Sequence, residues 1–341
     1  MSISLPAEKI LAAQAVSALL VPGRRIVLTT HVNPDGDGLG SEVGLALCLR
    51  AQGVDVVIAN PTPTPPRFDF LFRDHPGLDR TADAVKVLRR ADAIVVLDIA
   101  DLGRLGMLGS TVRDAGVPVA CVDHHVSPGT LPDGPRYVDP SAAATGELIY
   151  EIAKACDWTI SSEAARALYV ALLTDTGGFR FSNTHPRTLR IAADLLETGV
   201  EPESVYLDVY ANAPAGRPRL LAEALQTLVV EEEAGLAWVT VPPGAVERHG
   251  VTADDLEGIV EFPRSIAGMR MAMLFREIHQ GRVKVSLRSV GNVDVAAFAK
   301  QFGGGGHTKA AGVSLEGSLA EVQGTVLTAA REFLMAAAIG A

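Results

Sequence analysis

The sequence predicts a two-domain α/β protein, with an N-terminal, mainly parallel, doubly wound sheet and a smaller C-terminal α+β domain across a cleft. Three observations support this prediction. Short apolar runs alternate with helical patterns over the first 130 residues, as they do in doubly wound sheets. A segment rich in proline, glycine and small residues, YANAPAGRP at 210–218, separates two unlike halves. The length of 341 residues is enough for two domains that each bury a core.

Four strands are predicted in the N-terminal domain, residues 1–210. Each is a β-branched run with little polar alternation, which is typical of strands buried on both faces. The runs are RIVLTT at 25–30, VDVVIA at 54–59, AIVVL at 93–97 and VPVACV at 117–122. Apolar spacing between them predicts helices at 40–51 and 102–115, and residues 142–197 are mostly helical in pattern.

The C-terminal domain, residues 219–341, follows a predicted linker at 211–218. Its pattern mixes helices and strands. In order, the predicted elements are a helix at 220–230, a strand at 237–241, a hairpin of 270–277 and 282–288 around His279-Gln280-Gly281, a helix at 293–300, the glycine run 303–306, a strand at 312–315 and a final helix. This is the order of an α+β domain.

Charge and cysteine content exclude several classes of protein. The chain has 40 Asp and Glu residues against 30 Lys and Arg, a net charge of −10, which argues against a broad cationic surface that coats long nucleic acid. The three cysteines match neither a zinc ribbon nor an even disulfide framework, so we expect a reducing cytoplasm. The most apolar N-terminal stretch, 10–21, is too short to span a bilayer, and we expect no membrane partner.

The first chemical signal directly follows the first predicted strand. HVNPDGDGLGS at 31–41 places His31, Asp35 and Asp37 in a glycine-rich turn before a helix. One imidazole and two carboxylates within seven residues indicate a ligand site. The alternative is a structural Asp-Gly turn that caps the helix.

Two further candidates also follow predicted strands. Asp98 comes directly after AIVVL, at the edge where parallel sheets bind ligands, and Asp101 is a less favoured neighbour. Asp123-His124-His125 comes directly after VPVACV. An aspartate followed by two histidines is rarely a packing solution, although His124 alone is compatible with a hydrogen-bonded core histidine.

Asp175 ends an apolar helix in LLTDTGGFRF and is unremarkable by itself. The side chains that follow the strands should meet at one edge of the sheet. Together these segments supply two imidazoles and four carboxylates, more than one ion requires. The mixture of nitrogen and oxygen donors suits Mn²⁺, with Mg²⁺, Co²⁺ and Zn²⁺ also compatible. Because two metals about 3.5–4 Å apart are usual in phosphoester hydrolysis, the sequence predicts a dinuclear phosphoesterase.

These segments resemble, in order, the four motifs of the DHH phosphoesterases. The matching segments are HVNPDGDGLGS, VLDIAD around Asp98, VDHH at 122–125 and LLTDTGGFRF. VKVSLRS at 283–289 and FGGGGHTKAAG at 302–312 resemble the DHHA1 substrate domain. The length and the partner domain resemble the short, two-domain oligoribonuclease and pAp phosphatase type, called NrnA-like.

The resemblance implies a role for each residue of the site. His31, Asp35 and Asp98 would hold one metal. Asp37, Asp98, His124 and Asp175 would hold the other, so that Asp98 bridges the two ions. Asp123 would orient its neighbours, and His125 would face the scissile phosphate.

The second domain is predicted to bind the substrate. Residues 261–312 carry eight basic and three acidic side chains, a local charge of +5 within a remainder of −15. A run of glycines can bring backbone N–H groups close to an anion. The resemblance implies substrate contacts from Arg288, His307, Gly304, Gly305 and Gly306, with Arg264 and Ser265 as weaker candidates. Arg282 and Lys284 are expected on a solvated sheet face, and Arg180 and His185 are weak candidates near the metal site.

The resulting hypothesis is hydrolysis of short single-stranded RNA to mononucleotides and of 3′-phosphoadenosine 5′-phosphate (pAp) to AMP, with two divalent ions. Long duplex nucleic acid is not an expected partner, and a homodimer is compatible with the sequence. Cleavage of cyclic di-AMP or pApA is the alternative reading, and a nucleotide sensor without catalysis is a third. The glycine run and Arg288 argue against a pyrophosphatase.

Overall fold

The computed structural model describes residues 5–99, 101–126, 130–256, 258–278 and 281–339. His279 and Gln280, predicted in the hairpin turn, lie outside these residues, as does the side chain of His307. The chain divides into two compact units, Met1–Asn212 and Ala213–Ala341. Among the described residues, no helix combines the length and the apolar character that crossing a membrane requires.

The first unit is built on a parallel sheet in the order β2-β1-β3-β4-β5. The strands are β1 Arg25–Thr29, β2 Asp55–Ile58, β3 Ala93–Leu97, β4 Val119–Asp123 and β5 Arg136–Val138. Alternate residues of the strands enter two separate apolar cores, one on each face. The predicted doubly wound architecture is therefore confirmed. The three-residue strand β5 was not predicted, because a strand this short has no measurable apolar period.

Helices cover both faces of this sheet. They are α1 Ala7–Ser17, α2 Gly36–Ala51, α3 Ala84–Leu88, α4 Leu108–Arg113, α5 Thr145–Ala155, α6 Ser162–Asp175, α7 Pro186–Leu196 and α8 Pro202–Tyr210, with 3₁₀ turns at Pro66–Leu71, Thr81–Asp83 and Leu102–Leu105. Two differ from the prediction. Helix α2 begins at Gly36 rather than at residue 40 because Asp35 caps it. The helix predicted at 102–115 is interrupted at Gly106, whose φ of 52° is incompatible with a continuous helix.

The second unit contains a mixed sheet in the order β10-β11-β9-β8-β7-β6, in which only the β7–β8 pair is parallel among the described strands. The strands are β6 Val229–Glu231, β7 Leu236–Val241, β8 Met271–Ile278, β9 Arg282–Ser289, β10 Gly305–His307 and β11 Ala310–Glu316. The helices are α9 Gly216–Leu225, α10 Ala245–Arg248, α11 Glu261–Arg264, α12 Val295–Lys300 and α13 Leu319–Ile339, with a 3₁₀ turn at Asp254–Leu256. One sheet face packs on α12 and α13, and the other on α9 to α11. The predicted α+β class is confirmed.

Two elements of this unit differ from the prediction. The helix predicted at 220–230 begins at Gly216, inside the predicted linker, because Pro218 occupies the first turn, where the missing N–H costs nothing. The glycine run predicted as a loop is partly the strand β10, which pairs with β11. As the edge strand of the described sheet, β10 keeps one row of backbone groups unpaired by β11.

Close packing of α2 on α6 fixes the position of the segment that begins α2. A methyl group at Gly40 would lie 2.5 Å from the carbonyl oxygen of Ala167 and 2.9 Å from the amide nitrogen of Ala171. Neither backbone atom can move without displacing α6. Gly40 is therefore required by contact between the two helices.

We expect Gly40→Ala to lower the free energy of unfolding of the first unit by about 1–3 kcal/mol, because the added methyl group overpacks the α2–α6 contact. Urea unfolding followed by fluorescence reports on this unit through Trp158 and on the second unit through Trp238. Gly324→Ala in α13 is the matched control, since its methyl group would meet no described atom within 4 Å. The control should be neutral or stabilising by up to about 1 kcal/mol. An unchanged Trp158 transition in Gly40→Ala would contradict the packing argument.

Candidate metal centre

The carboxyl ends of three adjacent strands place the predicted side chains together. His31 lies two residues beyond β1, Asp98 directly follows β3, and His124 directly follows β4. These strands are neighbours in the parallel sheet, so their ends share one edge. The sequence argument for convergence at this edge is confirmed by the distances below.

Asp98 lies between the two imidazoles. Its Oδ2 is 3.5 Å from Nε2 of His31, and its Oδ1 is 3.5 Å from Nε2 of His124. The backbone of Asp98 has a φ of 55°, while its N–H donates to the carbonyl of Val122 at 3.0 Å. The left-handed conformation turns the chain sharply at the strand end and holds the buried carboxylate between its neighbours.

The first group of potential metal ligands comprises His31, Asp35 and Asp98, whose ligand atoms all lie within 4.8 Å of one another. Oδ1 of Asp35 accepts hydrogen bonds from the N–H groups of Asp37 and Gly38, both at 3.0 Å. Its Oδ2 is 3.7 Å from Nε2 of His31. The helix-cap reading and the ligand reading of Asp35 are therefore compatible, since each uses a different oxygen.

The second group comprises Asp37, His124 and Asp175, again with ligand atoms within 4.8 Å. Nε2 of His124 lies 3.6 Å from Oδ2 of Asp37 and 3.7 Å from Oδ2 of Asp175. Because Asp98 is 3.5 Å from the same nitrogen, it adjoins both groups. The structure thus brings together all six side chains that the sequence proposed as metal ligands.

The donor set fits divalent cations. Nδ1 of His31 lies 2.9 Å from the carbonyl of Val32, which fixes the proton on that nitrogen. Nε2 is buried, faces two carboxylates and has no hydrogen-bond partner among the described residues. A buried imidazole nitrogen that faces carboxylate oxygens at 3.5–3.7 Å is the arrangement that a metal ion satisfies, because the cation can take the place of a proton there.

The pKa values show how strongly the buried charges interact. Burial lowers the pKa of His31 and His124, but the neighbouring carboxylates outweigh it and raise these values to about 10 and about 11. Burial and the charge of Asp98 raise the pKa of Asp37 well above its usual range. Burial also raises the pKa of Asp175 to about 7. The raised pKa values of Asp37 and Asp175 indicate that the site holds more carboxyl groups than its two imidazoles could balance if all four were ionised.

His125 and Asp123 form a separate pair beside the cluster. Oδ1 of the buried Asp123 lies 2.8 Å from Nδ1 of His125 and accepts its backbone N–H at 3.1 Å. Nδ1 is also 3.4 Å from Oδ1 of Asp98, so Asp98, His124 and His125 form a third possible ligand group. The bond to Asp123 engages Nδ1, the same ring nitrogen of His125 that lies near Asp98.

Backbone and amide groups that the sequence reasoning missed complete the centre. The N–H groups of Thr145 and Gly146 donate to the carboxylate of Asp37 at 2.7 and 3.0 Å. Nδ2 of Asn183 donates to the carbonyl of Asp175 at 3.2 Å and lies 3.5 Å from its carboxylate. Thr145 and Gly146 lie 108 and 109 residues from Asp37, whereas Asn183 lies eight residues from Asp175. These neutral groups carry no charge pattern that marks them.

Other candidates lie outside the ligand groups. Asp101 accepts the N–H groups of Gly103 and Thr130 and caps a 3₁₀ turn. Nε of Arg180 donates to the carbonyl of Gly177 at 2.6 Å, and His185 caps α7.

The second unit brings two of its predicted substrate residues together through an unpredicted glutamate. Glu261 pairs with Nε of Arg288 at 2.9 Å and with Arg264 at 2.5 Å. The hydroxyl of Ser265 donates to the carbonyl of Phe262 at 2.8 Å. Gly304 packs against the carbonyl of Gly312 so closely that a side chain would not fit.

A cavity of about 240 Å³ lies beside Arg288 in this unit. Leu256, Val260 and Leu274 form an apolar wall, and Arg276, Lys284 and Arg288 are also among the lining residues. Lys284 is exposed, as expected for a solvated sheet face, and it also lines this cavity. Strand alternation predicts which side chains share a face, but not which face carries a cavity.

Comparison with known proteins agrees with this architecture. Residues 25–172 match the model of the DHH family, N-terminal domain, and residues 237–336 match that of the DHHA1 domain. The chain is 34% identical over 337 residues to the bifunctional oligoribonuclease and PAP phosphatase NrnA of Thermus thermophilus, covering 95% of this chain and 94% of the relative.

Two solved structures share the fold. An exopolyphosphatase-related protein from Bacteroides fragilis has a TM-score of 0.88 at 26% identity, covering 98% of this chain and 100% of that one. RecJ from Thermus thermophilus, solved in complex with Mn²⁺, has a TM-score of 0.55 at 16% identity, covering 98% of this chain and 55% of that one.

A parallel sheet bearing this cluster, followed by a DHHA1 domain, defines a phosphoric ester hydrolase. The chain belongs to the DHH family and, within it, to the group that contains the bifunctional oligoribonuclease and PAP phosphatase NrnA.

Glu42 is a buried carboxyl group near the centre that the sequence reasoning also missed. Its Oε2 accepts a hydrogen bond from Nδ2 of Asn60 at 2.8 Å, and Oδ1 of Asn60 accepts the N–H of Thr30 at 2.9 Å. Its Oε1 has no partner among the described residues. Burial raises the pKa of Glu42 to about 8, although the bond from Asn60 acts in the opposite direction.

We expect Glu42→Gln to stabilise the first unit increasingly as the pH rises. Unfolded Glu ionises near pH 4.3, whereas folded Glu42 stays protonated to about pH 8, so the wild type loses stability between these values. Because Gln does not ionise, the variant lacks this loss, and its free energy of unfolding should exceed that of the wild type by a margin that grows by at most about 1.4 kcal/mol per pH unit. Urea unfolding at pH 5, 6.5 and 8, followed through Trp158, measures the effect. Exposed Glu203→Gln is the control, and a pH-independent difference between Glu42→Gln and the wild type would contradict the burial argument.

Proposed function

We propose that this protein releases mononucleotides from short RNA oligonucleotides and converts pAp to AMP, using two divalent ions with Mn²⁺ as the favoured one. The observation that carries the proposal is the position of Asp98, which adjoins two groups of ligands at once. Two linked groups suit a pair of ions rather than one. The relative's name as an oligoribonuclease and PAP phosphatase supports the choice of substrates.

In this proposal, His31, Asp35 and Asp98 hold one ion, and Asp37, Asp98, His124 and Asp175 hold the other. When bound, the two ions would neutralise charge on the phosphoryl oxygens and increase the acidity of water. Mixed imidazole and carboxylate donors favour Mn²⁺, with Mg²⁺ and Co²⁺ as alternatives. The Mn²⁺ complex of RecJ, which has the same fold, is consistent with this choice.

The protein itself would supply a proton donor through His125. Asp123 accepts the proton of Nδ1, so this carboxylate sets the tautomer and the ring orientation. Nε2 is then the atom that can donate to the leaving-group oxygen. Asp123 acts through His125 as a positioning residue in this scheme.

Substrate binding would use the basic side chains of the second unit. Arg288 can make bidentate contacts with a phosphate, and Lys284 adds a charge with no ion-pair partner among the described residues. Gly304 and the edge strand Gly305–His307 would offer backbone N–H groups to the substrate. Arg264 and Ser265 are weaker candidates for substrate contacts. A cavity of about 240 Å³ with one apolar and one basic side suits a nucleotide better than an inorganic anion. We also propose a cytoplasmic location, consistent with three free cysteines.

We expect Asp98→Asn to reduce Mn²⁺-dependent release of phosphate from pAp on the order of 100-fold or more, because Asn removes the charge that both ions share. Product time courses on pAp, on RNA of two to five nucleotides and on cyclic di-AMP measure the effect and the substrate preference. Asp101→Asn is the matched control and should retain activity. Normal turnover by Asp98→Asn would exclude the shared-carboxylate scheme.

We expect Lys284→Met to weaken binding of pAp about tenfold in the presence of EDTA, because a charge-assisted contact with phosphate is lost. Calorimetry without divalent ions separates this contact from metal binding. Lys300→Met, on the exposed side of α12, is the control. Equal affinity of the Lys284 variant and the wild type would show that this cavity does not hold the phosphate.

A further inference from the structure

We propose that residues 142–146 are a positioning element for the metal ligands and that Thr145 is its central positioning residue. This inference rests on the metal centre proposed above. The segment leads from the chain after β5 into the first turn of α5 and contacts the ligand cluster. Its role is argued from three sets of contacts: with the ligands, with its own helix, and with a buried ionic network behind it.

The segment contacts several proposed ligands directly. The hydroxyl of Thr145 donates to Oδ1 of Asp98 at 3.2 Å, and Nδ1 of His124 lies 3.3 Å from the carbonyl of Ala142. The N–H groups of Thr145 and Gly146 donate to the two oxygens of Asp37 at 2.7 and 3.0 Å. Three residues of this segment, Ala142, Thr145 and Gly146, thus contact ligands from α2 and from the positions that follow β3 and β4.

Helix α5 depends on the same contacts for its own N-terminus. The residue at its N-cap position, Ala144, has no side chain that can accept a hydrogen bond. The first N–H groups of a helix need such an acceptor, and Asp37 supplies it from 108 residues earlier in the chain. The carboxylate therefore serves as cap and ligand at once, which ties the start of α5 to the metal centre.

A buried ionic network holds the segment from the other side. Oε2 of Glu147 accepts the N–H of Ala143 at 3.2 Å and the hydroxyl of Thr188 at 2.9 Å. Its Oε1 pairs with Nε of Arg187. Glu147 is fully buried, so it is tied both to the segment and to α7 with no solvent to compete.

The bond from Thr145 to Asp98 has a specific consequence. It is made to Oδ1, the oxygen that faces His124, whereas Oδ2 faces His31. The hydroxyl therefore fixes the rotation of the carboxylate that adjoins both ligand groups. Without it, Asp98 can turn about its side-chain bond, and both ligand groups lose their geometry together.

The test compares Thr145→Val, which removes the hydroxyl at nearly constant shape, with Thr145→Ser, which keeps it. Mn²⁺ is titrated into the EDTA-treated, dialysed full chain by calorimetry, and urea unfolding is measured without metal. We expect the Kd for Mn²⁺ to rise about tenfold in Thr145→Val and to stay within about twofold of the wild type in Thr145→Ser. Thr198→Val, which removes a hydroxyl bonded to the carbonyl of Leu195 at the end of α7, is the matched control.

The outcomes separate the possible failures. A wild-type Kd for Mn²⁺ in Thr145→Val, with or without lower stability, would overturn the positioning role. A wild type that binds no Mn²⁺ would overturn both the metal centre and this inference. Glu147→Gln provides a second test, since its amide cannot accept all three hydrogen bonds, and it should also weaken Mn²⁺ binding. If that variant lost only stability, the network would be excluded from the positioning role.

Discussion

The packing of four carboxylates at one edge of the sheet, with Asp37 and Asp98 buried, is the constraint on which the rest of the first unit depends. Like charges in such a place repel, and burial makes each charge more costly. Hydrogen-bond donors surround and stabilise these carboxylates. They are backbone N–H groups at the starts of two helices, two imidazoles and a threonine hydroxyl. These donors are held in position by the ends of the strands, by the close contact between α2 and α6, and by the segment that begins α5.

Much of this centre could be predicted from the sequence because its charged groups follow apolar strands. Asp98 and Asp123-His124 mark the ends of two buried runs, and in a parallel sheet those ends must meet. The neutral partners could not be predicted. Thr145 lies in an ordinary helical pattern, and only tertiary packing brings it to Asp98, 47 residues away. Asn183 lies in a loop eight residues from Asp175, and a single neutral amide gives no signal of its partner. Glu42 was hidden in an otherwise apolar helix for the same reason.

In the second unit, local patterns predicted the class of fold better than its details. Alternation along β9 correctly separated Val283, Val285 and Leu287 from the polar positions. It could not show that Lys284 borders a cavity, because other lining residues come from a separate segment: Ala253, Leu256, Gly258 and Val260. The prolines near 214–218 favour a linker when only the sequence is considered, although proline is equally compatible with the first turn of a helix.

The left-handed backbone conformation of Asp98 bears on how the proposed site would exchange metal ions. Aspartate and asparagine adopt this conformation with less strain than most residues, so the residue type at position 98 itself favours the bend after β3. If the backbone conformation alone positions Asp98, the proposed metal centre would exchange one cation for another without refolding. The identity of the occupant would then follow the supply of metals in the cell, and the protein would remain a usable catalyst as that supply changes.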